Sequence, residues 1–68
     1  MIRIEDLEGN AQAFAVAGYD CNTILELETA LETGPDKTDM KEWELTSEEW
    51  FEAIQAALNE KKAAEAEE

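Results

Sequence analysis

The sequence predicts a mostly helical α+β fold, with two or three helices beside a short two-stranded antiparallel sheet. Three observations carry that expectation. Residues 46–58 join a helix start signal to an apolar stripe. Ile24, Leu27 and Leu31 recur at helical spacing. Two short stretches, 1–5 and 41–45, alternate apolar with polar residues. Because "ILELET" also alternates, a β-meander followed by a C-terminal helix is the competing architecture.

Ile2 and Ile4 fall on one side of the first stretch, with Arg3 and Glu5 on the other, as in a strand. Asp6 to Asn10 reads as a turn, with Gly9 free to take a positive φ and Asn10 placed as a helix N-cap. Ala11, Phe14, Ala15 and Gly18 share a helical face, and Gly18 is positioned to stop that short helix. Asp20 or Asn22 can cap "TILELETALET", whose residues are good helix formers and which Gly34-Pro35 ends.

Residues 35–39 read as a polar turn. "KEWEL" then alternates, with Trp43 and Leu45 inward and Glu42 and Glu44 outward, as a second strand paired with residues 2–4. Thr46-Ser47-Glu48-Glu49 is a capping box, in which the hydroxyl and the carboxylate each satisfy a backbone N–H of the first turn. Trp50, Phe51, Ile54, Ala57 and Leu58 form the stripe of the helix it starts. One domain is expected over residues 1–62, with 63–68 a frayed or disordered acidic tail.

Composition narrows the function classes. With 68 residues and a 44% apolar fraction, the chain builds one thin core and no large substrate cavity. Eighteen acids face five Lys and Arg, for a formal charge of −13. Such a field repels a nucleic-acid backbone and attracts cationic protein surfaces, so direct nucleic-acid binding is not expected. The absence of His, of a glycine-rich phosphate loop and of a nucleophile–base pair argues against an enzyme. No cofactor or metal is expected. Asp36 and Asp39 flank a loop but lack the EF-hand ligand pattern.

The single cysteine, Cys21, excludes an intrachain disulfide and reads as a small buried or half-buried apolar residue. The uncharged stretch Gly9 to Tyr19 is too short to cross a bilayer, and no basic start precedes an apolar run. The expectation is therefore a cytoplasmic protein without a membrane partner. Trp43, Trp50 and Phe51 read as core, with one Trp or Tyr19 exposed as a binding anchor in the alternative.

The glutamates are the candidate partner-binding residues. Glu48, Glu49, Glu52, Asn59 and Glu60 fall opposite Trp50 and Ile54, and no Lys follows any of the first three at i+4. An ordinary solvated face is the plain alternative, and the helix dipole accounts for the first-turn acids. It does not account for Glu26, Glu28, Glu32, Glu42 and Glu44. Carboxylates one helical turn apart, on Cβ atoms about 5–6 Å apart, can imitate a row of phosphates. Glu48, Glu49 and Glu52 are first choices for contacts, then Glu42 and Glu44, then Glu26, Glu28 and Glu32.

In size, charge and carboxylate-lined helix the chain resembles small acidic inhibitors encoded by phages and mobile elements. These are the anti-CRISPR and anti-restriction proteins, several of them DNA mimics. Residues 6–11 ("DLEGNA") followed by Phe14 also resemble the start of short phage reading frames of unknown function. The first resemblance implies competitive docking on the Arg/Lys-lined channel of a CRISPR effector or other nucleic-acid-binding protein. Two other partnerships remain open: an acidic adaptor or assembly protein binding through an apolar face, and a transcription-factor antagonist.

Overall fold

The computed structural model describes residues 1–66, and every regular element among them is helical. A 3₁₀ turn (Ile4–Asp6) precedes α1 (Gly9–Cys21), α2 (Ile24–Thr33), α3 (Lys37–Trp43) and α4 (Ser47–Ala66). The α+β expectation is therefore corrected. There is no two-stranded sheet among the described residues, and the β-meander is excluded because residues 24–33 are helix.

Each misread strand has a physical reason. At the N-terminus, backbone groups find partners locally and through a side chain rather than on a neighbouring strand. The Asp6 carboxylate accepts from the Arg3 N–H at 2.9 Å, the Leu7 N–H reaches the Ile4 carbonyl, and the Ile2 carbonyl accepts from Asn59 Nδ2 at 2.8 Å. At the second site, Asp36 caps α3 by accepting from the Thr38 N–H at 2.7 Å, and Met40 and Trp43 then face inward at i,i+3 spacing. Glu44 closes α3 in the left-handed region, at φ 54 and ψ 48, which turns Leu45 into the core. The apparent alternation of Trp43 and Leu45 comes from this turn.

The long helix α4 is the spine, with 20 residues spanning about 30 Å. Helices α1 and α2 pack against it, and the N-terminal segment crosses its second half. Ala53, Ile54, Ala56, Ala57 and Leu58 are buried over an arc wider than half the helix, which requires cover on more than one side. The alanines let neighbouring helices approach closely. Gly18 does the same on α1. It does not stop the helix but sits buried within it, its virtual Cβ position 3.8 Å from Leu27 Cδ2 and 3.9 Å from Ala57 Cβ.

The starts and stops follow local chemistry. Thr46 and Glu49 form the expected capping box, at 3.2 and 3.0 Å. Thr23, rather than Asp20 or Asn22, caps α2 through an equivalent box with Glu26, at 3.2 and 2.9 Å. Gly9 has φ +58 as the first residue of α1, so Asn10 lies inside the helix, and Gly34 ends α2 at φ +99. Helix α4 runs through 63–66, part of the segment expected to fray, while Glu67 and Glu68 of that segment lie outside the described residues. No described helix is long and apolar enough to cross a membrane.

Candidate functional site

The fold distributes the eight candidate acids over four surfaces. Glu48 and Glu52 stand one turn apart on the exposed face of α4, opposite buried Trp50. Glu49, half-buried, is held by its capping bond to Thr46. Glu44 is exposed in the turn just before them. On α3, Glu42 shares a shallow surface with Lys37, Thr38 and Lys41, so its surroundings are mixed in sign.

On α2 the acids divide between two flanks. Glu28 faces the second half of α4, where Lys62 Nζ lies 3.7 Å from its Oε2, and Glu32 follows one turn later. Glu26 faces the other way, into a groove between α2 and the start of α3 that it lines with Asp36 and Asp39. Exposed Leu25 and half-buried Ala30 and Pro35 supply apolar walls, and Trp50 from α4 borders the groove.

Asp36 and Asp39 thus belong with Glu26 as a group, although they read as a solvated turn in sequence. The signal was the pattern Asp36-Lys37-Thr38-Asp39 after Pro35, an N-cap followed three residues later by an acid. Among the described residues, no group of three or more His, Cys, Asp or Glu can hold a metal ion. Cys21 is exposed rather than buried or half-buried, and it is free.

The expected acidic face of α4 is shorter than its sequence suggests. Asn59 is only 9% exposed, with Nδ2 donating to the Ile2 carbonyl and Oδ1 accepting from Gln55 Nε2 at 2.9 Å. Glu60 binds Arg3, Nε to Oε1, at 2.6 Å. The N-terminal segment thereby covers the face that these two residues would otherwise expose.

No family model, curated protein or solved structure matches this chain.

Three of the five cations have a partner among the described residues. Arg3 holds Glu60, and Lys62 lies near Glu28. Lys61 donates to the Tyr19 carbonyl near the end of α1 and sits over the Tyr19 ring, 4.8 Å from its centroid. Among the described residues only Glu28 and Glu60 lie within 4.0 Å of a cationic nitrogen, and none of the acids is buried. Glu32, Glu42, Glu44, Glu48 and Glu52 have no ion-pair partner there.

The aromatics also sort themselves. Trp50 is 2% exposed, while Trp43 is half-buried against Phe14, ring centroids 5.5 Å apart. Phe51 is 41% exposed, the least buried ring of the three expected in the core. It meets Trp50 edge to face, ring centroids 5.3 Å apart.

Proposed function

We propose that this chain is an anionic inhibitor that occupies the cationic nucleic-acid groove of a DNA- or RNA-binding protein. A CRISPR effector or a restriction nuclease is the target class suggested by its resemblance to acidic phage inhibitors. The observation that supports the reading is the set of solvent-facing carboxylates without cation partners, held on capped helices over a packed core. Helical mounting removes the entropy that a disordered acidic tail loses when it docks. Free carboxylates on a net charge of −13 draw a basic groove from a distance, with a strong dependence on salt.

The direct test is competition. The purified chain is added to a CRISPR effector or nuclease bound to fluorescently labelled DNA, and anisotropy is followed at low and high salt. Displacement that fades with salt, and that weakens in the Glu48→Gln/Glu52→Gln double variant, supports the reading. Failure to displace DNA from any cationic-groove protein in such a panel removes it.

A second reading is favoured by Leu25, which is 72% exposed on α2. In that reading the chain is an acidic adaptor that binds through an apolar surface. Leu25→Ser and Phe51→Ser would then abolish binding, and salt would change it little.

A further inference from the structure

We infer that the groove between α2 and α3 is an anchor site for a basic protein segment that places one apolar side chain between flanking Lys or Arg residues. This rests on the reading of the chain as a binder of cationic protein surfaces and adds where, and by what chemistry, contact is made. The groove has apolar walls in Leu25, Ala30 and Pro35, and its bordering carboxylates are Glu26, Asp36 and Asp39. No Lys or Arg lines it, so nothing in the groove neutralises that rim.

The rim acids keep acceptor capacity. Glu26 commits one oxygen to the Thr23 N–H and Asp36 one to the Thr38 N–H, and a carboxylate has lone pairs for further donors. Those same bonds hold the side chains in place before any partner arrives. Leu25 stands 72% exposed at the groove wall, on a helix whose other apolar residues, Ile24, Leu27 and Leu31, are buried or packed on the core. Covering it removes apolar area from water, and a purely ionic partner would leave it wet.

A second groove, between the N-terminal segment and α1, fits this chemistry less well. It is lined by Ile4, Val16 and Tyr19, but of its two carboxylates Glu60 is already bound to Arg3. Its exposed Val16 therefore serves as a control.

Trp50 provides an internal reporter. Its ring borders the groove, and its Nε1–H is buried without an acceptor among the described residues. The chain has one other indole, that of Trp43, so the two Nε1–H resonances can be told apart in a ¹⁵N spectrum.

The experiment titrates the ¹⁵N-labelled full chain with two synthetic peptides of equal positive charge, one carrying a central Leu and the other Ser in its place. The expected result is about tenfold tighter binding of the Leu peptide, the scale of one partly buried apolar side chain. Shifts should concentrate on residues 25–39 and the Trp50 indole. Leu25→Ser should erase the advantage and Val16→Ser should preserve it, with each variant's spectrum reporting its folding directly. Equal affinity for the two peptides, with shifts spread over all helices, overturns the anchor site and leaves the polyanion reading standing. If neither peptide binds even at low salt, both fall.

Discussion

Arg3 and Glu60, 57 residues apart, meet through a hydrogen-bonded ion pair at 2.6 Å. The pair fastens the N-terminal segment across α4. Asn59, the residue before Glu60, donates to the carbonyl of Ile2, beside Arg3 in the chain. Two bonds to adjacent residues close a loop that contains α1, α2 and α3, so the N-terminal segment acts as a clasp on the spine helix.

The clasp makes stability depend on pH with a defined sign. The Arg3 hydrogen bond, opposed in part by burial, holds the Glu60 carboxyl below its ordinary value of 4.5. The folded state therefore binds a proton there less readily than the unfolded chain does. The pair's contribution is complete above about pH 4.5 and is lost as pH falls through the lower folded value. Comparing wild type with Glu60→Gln isolates this group from the other acids. The difference in Tm should be largest near neutrality and should close in acid; a gap that persists well into acid contradicts the assignment.

Asn59→Ala should destabilise the fold by about 1–3 kcal/mol, measured by urea denaturation. The substitution leaves the part-buried Ile2 carbonyl and Gln55 amide without their partner. Amide exchange in residues 1–7 should accelerate more than exchange in α2, because the clasp is lost before the α2–α4 packing. Uniform acceleration would instead mean that the segment carries no independent stability.

Gly18 leads to a substitution in the opposite direction. It lies inside α1 without a positive φ, and an added Cβ meets its nearest atoms at 3.8–4.0 Å, ordinary contact distances. Alanine restricts the unfolded chain and favours helix, so Gly18→Ala should stabilise by about 0.5–1 kcal/mol. Destabilisation of similar size would show that α1 and α4 cannot accept the methyl group without moving apart.

Glu44 occupies a left-handed position where glycine is the usual residue, and it places an anion at the negative end of α3. Glu44→Gly should raise stability by about 0.5–1 kcal/mol in the same denaturation assay. If Glu44 is a contact for a cationic partner, that variant should also lose affinity. A gain in folding coupled to a loss in binding separates a functional acid from an indifferent one.

Much of this architecture was legible where the signal is local. The Thr46–Glu49 box, the Gly34-Pro35 stop and the positive φ of Gly9 each follow from a few adjacent residues. The Thr23–Glu26 box has the same form, but Asp20 and Asn22 competed for the role. The strands were misread because two apolar residues two apart do not define a period. Met40 and Trp43 fit a helix equally well, with Glu44 turning Leu45 inward. Exposure of most candidate acids could be anticipated from their type. Their grouping could not, because the approach of Glu26 to Asp36 and Asp39 depends on how α3 folds back after Gly34, and no local pattern encodes that.

Glu48 and Glu52 give the clearest separation of stability from function. They stand at i,i+4 on an exposed face, where like charges repel by about 0.2–0.5 kcal/mol. Glu48 lies in the first turn and is favoured by the helix dipole, whereas Glu52 lies beyond it. Glu52→Gln should therefore stabilise by about 0.2–0.5 kcal/mol at low salt, and Glu48→Gln should show no such gain. Added salt screens the same repulsion over about 10 Å, so wild type should gain stability with ionic strength and Glu52→Gln should gain less. If the acids imitate phosphates, Glu52→Gln should also compete less well for a cationic groove although it is better folded. Unchanged competition would mean that this pair is an ordinary solvated face.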